Sequence, residues 1–462
     1  MHVRNRHLLL ALLIVLTSVT ACTTTVTGSP TSGDTVVTGG DSGDSGVDPS
    51  FVKGTDGSSI DRLAAAVVTD VENFWRASFP SVFDKEWTPL EGGFYSVDTT
   101  DYKADPPPCA QNASDVEGNA FYCPTDDVIA WDRAALLPVL RERFGEASVM
   151  LVLAHEIGHA VQDRAGLTLA KQRKDPERYP TILIEAQADC YAGTFVKWVS
   201  DGKAEHLHVD KNRLDSALES LITFRDPTGT SQTDEGAHGD AFDRVSAFQD
   251  GFAKGAKLCR DMSVDNRTFT QRGFNSDEDA ATGGNVSFDE IIGAVSDNLD
   301  TYFGQLVTGR GGQWRQPELQ PTDATPDCAD GDQGPVAYCP DTGTIDYDGE
   351  KELPKIHTDI GDYATGTLVA SRYGMAAMAD LSLPVKGGDT QHGSVCLAGA
   401  FTGFLLSQDQ LWLAPGDLDE AVQVLLAYDY AARDVTGAGT RTGFERVADF
   451  RKGVTEGDKA CF

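Results

Sequence analysis

Apolar positions recur at helical spacing along most of the chain. From Ser58, which has the character of a helix cap, apolar side chains return every three or four residues to about Phe79. The same spacing predicts helices over 133–144, 147–165, 178–200, 210–225 and 240–258. Aromatic and β-branched residues favour a short strand within 86–97 and an extended segment over 121–131, which Pro124 restricts to a sheet edge. The pattern predicts a helix-rich α+β fold with a small sheet.

This pattern occurs twice in the chain. The segment Phe121-Tyr-Cys-Pro returns 216 residues later as Ala337-Tyr-Cys-Pro. Two later pairs also match, DCYAG with VCLAG around the cysteines at 190 and 396, and FDRVSAFQDG with FERVADFRKG near residues 244 and 446. Self-similarity at a nearly fixed offset indicates a duplicated domain. We expect copies over about 58–265 and 285–462, joined by a polar linker over 266–284.

The N-terminus resembles a bacterial lipoprotein export signal. Basic residues precede an apolar run over 8–16 that is too short to span a bilayer, and small residues then lead to Cys22. We expect residues 1–21 to be a signal peptide and Cys22 to carry the lipid. A free cysteine after an ordinary secretory signal is the alternative. The Thr-, Ser- and Gly-rich stretch over 22–57 reads as a tether. These features predict an exported protein, anchored by lipid at the extracytoplasmic face of the cell membrane.

Export changes the expected role of the other eight cysteines, because an oxidising compartment permits disulfides. Each copy has one close pair and one distant pair, so four bonds are expected, although sequence alone allows other connectivities. The predicted pairs are Cys109–Cys123, Cys190–Cys259, Cys328–Cys339 and Cys396–Cys461. The chain has 38 Lys and Arg against 71 Asp and Glu, a formal charge of −33, which argues against nucleic acid as a partner.

One predicted helix carries the sequence HEIGH, which begins at His155. His155 and His159 are four residues apart, so both imidazoles lie on one helix face and can bind a single Zn²⁺. Glu156 can act as general base on a water at the metal. Glu185 and Asp189 share one face of the next helix, where Glu185 would be the third ligand and Asp189 would accept the ring N–H of a liganding histidine. A solvated helix face is the alternative for these two carboxylates.

The motifs HEIGHAVQ, EAQADCYAG and Ala237-His238-Gly239 together resemble the neutral zinc metallopeptidase family of bacteria, over most of residues 60–262. The resemblance implies a gluzincin-like architecture and puts His155, His159 and Glu185 on ligand positions and Glu156 on the base position. It also implies an edge strand along the cleft, which we expect to pair with substrate backbone. His238 is expected to stabilise an oxyanion or position substrate; a loop histidine near a helix cap is the alternative.

The second copy lacks every residue assigned to the metal or the base. Their positions are taken by Ser371, Arg372, Met375, Gln391 and Val395, and His238 is replaced by Thr440. Residues kept in both copies are predicted to serve packing, and in the first copy these include Gly158, Arg244, Phe248 and Gly251. The expected function is a zinc-dependent endopeptidase with one active and one degenerate copy, acting on peptides or proteins. A metal-dependent amidase acting on cell-wall material and a non-catalytic surface adaptor are the alternatives.

Overall fold

Helix α1 (Ser59–Phe83) begins the first half, and the Ser58 hydroxyl caps it by accepting from the Asp61 amide. The computed structural model describes residues 46–234, 237–328, 331–408 and 413–462, so the predicted signal peptide and Cys22 lie outside it. Three strands follow α1. They are β1 (Gly93–Val97), β2 (Ala120–Cys123) and β3 (Val128–Asp132).

Seven helices complete the first half. They are α2 (Leu136–Phe144), α3 (Glu146–Ala165), α4 (Leu169–Lys174), α5 (Thr181–Ser200), α6 (Lys211–Thr223), α7 (Ala241–Lys254) and α8 (Ala256–Asp261). Each helix predicted from the spacing of apolar residues is present, but the one predicted over 240–258 is two helices. The break lies at Gly255, whose φ of +81° is a left-handed conformation that favours glycine.

The sheet corrects one prediction. Strand β3 is central, parallel to β1 and antiparallel to β2, so the strand order is β1-β3-β2. The segment over 121–131 is therefore a hairpin and not one edge segment. Pro124 lies in its turn, where it removes no hydrogen bond from the sheet, and β3 can be buried along its whole length. The edge prediction holds for β2 alone.

The second half repeats this order of elements. A short helix, α9 (Asp277–Thr282), lies in the predicted linker. The second half also has a three-stranded sheet, in which the last strand along the chain is central, parallel to the first and antiparallel to the second, as in the first half. Its other elements are α10 (Phe288–Gly309), β4 (Leu319–Thr322), β5 (Val336–Cys339), β6 (Thr344–Asp348), α11 (Glu352–Asp359), α12 (Asp362–Asp380), α13 (Gly388–Leu406), α14 (Asp417–Ala427) and α15 (Gly443–Glu456). The helix-rich α+β class is confirmed, while duplication and the domain boundaries stay predictions.

Close helix contacts explain a glycine that occurs at matching positions in both halves. A Cβ on Gly251 of α7 would lie 1.8 Å from the carbonyl oxygen of Cys190 on α5, so only glycine permits this approach. Gly453 of α15 meets the carbonyl of Cys396 on α13 in the same way, at 1.9 Å. The structure also joins the eight described cysteines in the four predicted pairs.

The two halves meet along α6 and α7 of the first and α14 and α15 of the second. Beside this contact the second half buries three carboxyl groups, from Asp362, Asp417 and Glu420, with oxygens within 4.8 Å of one another. Burial, followed by the charges of Asp417 and Asp362, raises the pKa of Glu420 well above its ordinary value. Within the described ranges, no helix has the length and apolar character needed to cross a lipid bilayer.

Candidate metal centre

Helices α3 and α5 bring the predicted ligands together. His155 and His159 are one turn apart on α3, and Glu185 lies in the second turn of α5. The helices approach closely at Gly158, where a Cβ would lie 3.0 Å from the Cα of Ala188. A larger residue there would push the ligand-bearing helices apart, so this glycine has the packing role that its retention in both copies predicts.

The three side chains converge on one point. The Nε2 atoms of His155 and His159 are 3.2 Å apart. The two Glu185 carboxylate oxygens lie 3.2 Å from Nε2 of His155 and 3.6 Å from Nε2 of His159. Oε2 of Glu185 is buried, and among the described residues none donates a hydrogen bond to it, since Nδ1 of His155 faces Asp189 and leaves Nε2 as an acceptor. Three donor atoms therefore face one another across a space that none of them fills.

This donor set fits zinc. Two imidazole nitrogens at about 2.0–2.1 Å from one tetrahedral zinc are separated by about 3.3–3.4 Å, close to the 3.2 Å observed here. Two nitrogens and one carboxylate suit Zn²⁺ better than Ca²⁺ or Mg²⁺, which prefer oxygen donors. A buried carboxylate oxygen normally accepts a hydrogen bond, so one that receives none from the protein is expected to bind something else, such as a metal ion. Three protein ligands leave a fourth position for water or substrate, as in catalytic zinc sites.

Asp189 orients the first histidine and is itself held by an arginine. Its Oδ1 lies 2.7 Å from Nδ1 of His155, which leaves Nε2 of that ring facing the convergence point. Arg244 of α7 donates two hydrogen bonds to Asp189, from Nε at 2.9 Å and from Nη2 at 3.0 Å. The prediction that Arg244 serves packing is therefore incomplete. It also fixes the carboxylate that selects the tautomer of His155.

The second histidine has a partner that the sequence analysis did not assign. Nδ1 of His159 lies 3.0 Å from Oε1 of Gln162, the final residue of the HEIGHAVQ segment. The Gln162 amide donates to the carbonyl of Ile184, at 2.7 Å, and so ties α3 to α5 next to Glu185. The spacing of three residues on one helix was the available signal, since such residues are neighbours on the helix surface.

Glu156 points from α3 toward strand β2. Its Oε2 accepts a hydrogen bond from the backbone N–H of Tyr122, at 2.9 Å. Burial raises the pKa of Glu156, against the opposing effect of the neighbouring histidines. The carboxylate is therefore held beside the metal ligands with an increased affinity for a proton, as a group that takes and returns one requires.

The electrostatic field favours a cation at the convergence point. Burial opposes protonation of His155, but Asp189 and Glu185 outweigh it and raise the pKa of His155 to about 10. Burial alone would raise the pKa of Asp189, yet Arg244 and His155 bring it below the usual value. Carboxylates that increase the proton affinity of an imidazole also stabilise a metal ion beside it. The charge distribution and the donor geometry therefore both favour a metal cation at this point.

A cavity of about 400 Å³ opens onto these residues. Its walls include strand β2 with the preceding Gly118 and Asn119, and the apolar side chains of Leu136, Leu151, Val152, Leu221 and Phe224. His238 also lines it and has about half of its side chain exposed. The site is thus a cleft with one polar end and one apolar wall.

An aspartate that the sequence analysis missed holds the His238 loop. Oδ2 of Asp226 accepts from the backbone N–H groups of His238, at 2.7 Å, and Gly239, at 2.9 Å. Oδ1 lies 3.4 Å from Nδ1 of the His238 ring, and this interaction raises the pKa of His238. No local pattern marks Asp226, because it precedes the histidine by twelve residues in a loop.

The matching positions of the second half form no such centre. Arg372, which replaces Glu156, is buried and donates to backbone carbonyls, among them those of Val336, at 3.1 Å, and Arg433, at 2.7 Å. Gln391, which replaces Glu185, accepts from the hydroxyl of Thr440 at 2.7 Å. Among the residues that the structure describes, the groups able to hold a metal do not include these positions.

Comparison with known proteins places this geometry in a family. The model of the family described as "Putative neutral zinc metallopeptidase" matches residues 25–262, more than half of the chain. The chain belongs to this family. The family supports a hydrolase that depends on zinc, which agrees with the fit of the donor set. The matched range ends at Met262, directly after α8, so it covers the half that carries His155, His159 and Glu185.

The chain is also similar to curated proteins whose descriptions give no activity. Proteins of Mycobacterium bovis and of two strains of Mycobacterium tuberculosis are 30% identical in an alignment 174 residues long that covers 34% of this chain. The chain spans 58% of the length of these relatives, and each is described as uncharacterized. No solved structure matches the chain.

Proposed function

We propose that the chain is a zinc-dependent endopeptidase whose active site lies in the first half. The observation that carries this proposal is the convergence of His155, His159 and Glu185 on one point, with Glu156 beside them and an open cleft in front. Zinc, when bound, supplies a Lewis acid that polarises the scissile carbonyl and makes water a nucleophile near neutral pH. The remaining chemistry belongs to side chains of this chain.

Glu156 is the proton carrier in this proposal. Its carboxylate accepts a proton from the attacking water and returns it to the amine of the leaving peptide. The hydrogen bond from the Tyr122 amide holds the carboxylate in place for both transfers. His238, supported by Asp226, faces the same cleft and donates a hydrogen bond to the oxygen on which negative charge develops.

Strand β2 gives the substrate a place to bind. The amides of Ala120 and Tyr122 bond to side chains, those of Asn119 and Glu156, and so point away from β3. The carbonyl groups of Ala120 and Tyr122 point the same way, so an extended peptide can add to this edge by donating its N–H groups to them, and its backbone then passes the metal ligands while the Tyr122–Glu156 bond stays in place. The apolar wall of the cleft then receives a side chain next to the scissile bond.

The decisive test replaces the base and keeps the ligands. Glu156→Gln should retain zinc at one ion per chain and lose peptide hydrolysis by about 100-fold to 10,000-fold, because the amide cannot accept the proton. Glu142→Gln, at an exposed position on α2, is the control and should behave like the unaltered protein. Zinc-dependent turnover at the normal rate by Glu156→Gln would refute the mechanism. Casein and cell-wall fragments assayed side by side distinguish a peptidase from an amidase.

Export and duplication complete the proposal. Four disulfides support an oxidising compartment, because such bonds persist outside the reducing cytosol. Lipid attachment at Cys22, signal cleavage after residue 21 and a tether after it are proposed from the sequence. The predicted end of the tether at residue 57 is too late, because Val52 is buried and Lys53 pairs with Tyr95 of β1. The repeated order of elements supports a duplication with a degenerate second copy. Mass spectrometry of the membrane-bound protein tests the lipid and the cleavage site directly.

A further inference from the structure

One carboxylate from the second half contacts two segments of the first. Asp419 of α14 is buried, with 3% of its surface exposed. Its Oδ1 accepts from the backbone N–H of Phe242, at 3.1 Å. Its Oδ2 lies 3.1 Å from Nε of Arg225. Asp419 thus binds the N-terminus of α7 and the loop that follows α6.

Both contacted segments belong to the candidate active site. Arg225 lies between Phe224, which lines the cleft, and Asp226, which holds the His238 loop. Ala241 and Phe242 begin α7 only three residues after His238. Asp419, a residue of the other half, therefore connects the loop that carries Asp226 to the start of α7, which follows His238.

Arg244 extends this connection to the metal ligands. It lies in the first turn of α7, where its Nη1 donates to the carbonyl of Phe224 at 2.7 Å while its other nitrogens hold Asp189. The position of the α7 N-terminus therefore sets the positions of both His238 and Arg244. A shift of about 1 Å in such supporting elements can reduce catalysis by about 100-fold.

The first half makes the reciprocal contact. Asp215 of α6 accepts from the backbone N–H groups of Gly443 and Phe444 at the start of α15, both at 2.7 Å. The two contacts are related as in an isologous interface, in which each partner offers the other the same surface. Asp215, however, holds a helix of the half that lacks metal ligands, where Thr440 stands in place of His238.

We propose that Asp419 is a positioning residue for the active site, so that the degenerate half acts as a built-in activating partner of the other. The inference rests on the proposed peptidase function. It assigns the second half a role that needs no metal. The surface of α14 and α15 holds the His238 loop and the start of α7 in the arrangement that the cleft requires.

The test compares two matched variants of the full-length protein. Asp419→Asn weakens the contact of the second half to the N-terminus of α7, and Asp215→Asn weakens the contact of the first half to the N-terminus of α15. Burial raises the pKa of Asp419 to about 6, so turnover is measured at pH 8, where its carboxylate is charged. We expect Asp419→Asn to lower kcat by about 10-fold to 100-fold with KM and zinc content nearly unchanged. Asp215→Asn should keep kcat within about twofold. Arg225→Gln, which removes only the ionic contact, should lower kcat in the same direction.

Two further measurements separate positioning from a general loss of structure. In a His238→Ala background, Asp419→Asn should lower kcat by a clearly smaller factor than in the unaltered protein, because only the part of its effect that acts through Arg244 remains. Hydrogen exchange in the metal-free protein should increase over 237–244 for Asp419→Asn and over 440–446 for Asp215→Asn, independently of activity. Equal losses of kcat in the two variants, or full additivity with His238→Ala, would overturn the inference. Absence of zinc-dependent turnover in the unaltered protein would instead overturn the proposed function.

Discussion

Asparagine in place of Asp189 is the sharpest test of the coupling between fold and metal centre. The side chain is fully buried and bonds to His155 at 2.7 Å and to Arg244 at 2.9 and 3.0 Å. Asparagine has nearly the same size but only one acceptor oxygen. With its oxygen at the Oδ1 position, its amide N–H groups would face Nε of Arg244; with the oxygen at the Oδ2 position, they would face both Nδ1 of His155 and Nη2 of Arg244. No rotamer accepts all three hydrogen bonds, and the negative charge is lost in both.

The magnitude follows from these contacts. Removing one partner of a buried ion pair destabilises a protein by about 3–5 kcal/mol, since the other charge stays buried without compensation. Losing the residue that orients a metal-binding histidine reduces metal affinity by about 10-fold to 100-fold. We therefore expect Asp189→Asn to lower both the free energy of unfolding of the metal-free protein and the affinity for zinc.

The second half offers a matched control. Asp449 is also buried, lies 2.7 Å from Nδ1 of His392, and accepts from Nη2 of Arg441 at 2.8 Å. This group of aspartate, histidine and arginine has no metal ligand in it. Asp449→Asn should therefore lower the free energy of unfolding while leaving zinc affinity within about twofold of the original.

Urea denaturation of the metal-free proteins and zinc titration against a competing chelator measure the two quantities separately. The pH dependence gives a further check, because the lowered pKa of Asp189 means that its contribution is present above the unfolded-state pKa of about 3.9. The contribution is lost as pH falls through the lower folded-state pKa. Unchanged zinc affinity in Asp189→Asn, or an equal loss of affinity in Asp449→Asn, would refute the reasoning.

Three further predictions concern catalysis, buried charge and the disulfides. His238→Ala should lower kcat by about 100-fold with zinc retained; loss of zinc as well, by metal analysis, would make this histidine a ligand or scaffold residue. Glu420→Gln should raise the free energy of unfolding at pH 8 by about 1 kcal/mol or more, because burial and Asp417 raise the pKa of this carboxyl and disfavour its charged form. The gain should vanish in urea denaturation at pH 4, where both states bind the proton, and a gain that persists there would contradict the electrostatic cause. Replacing Cys190 and Cys259 together by serine should lower the free energy of unfolding by about 4 kcal/mol, since the bond closes a loop of 69 residues; a change below about 1 kcal/mol would show that the unfolded chain is not constrained.

The local chemistry of the site could be predicted from the sequence because it depends on helical periodicity. Residues four apart share one face of any α-helix, so His155 with His159, and Glu185 with Asp189, were paired before the helices were placed. The likeness of the two copies likewise distinguished Gly251 from the ligand positions. Strand β3 was misplaced because burial of a strand depends on which neighbours pair with it, and a proline in the adjoining turn is no guide to that.

The arrangement of α3 against α5 and of one half against the other was decided by tertiary packing alone. The roles of Arg244 and Asp419 depend on contacts between segments far apart in the chain, and that of Asp226 on a loop contact twelve residues away. Neither spacing nor composition records such contacts. Asp419 lies 181 residues after His238, yet the two belong to one arrangement because α14 packs against α7. Residue type and helical spacing alone show which groups can bind a metal and on which helix faces they lie. The structure was needed to show which buried carboxylates fix the helices relative to one another. These contacts depend on the distances between elements, and the order of elements along the chain does not give those distances.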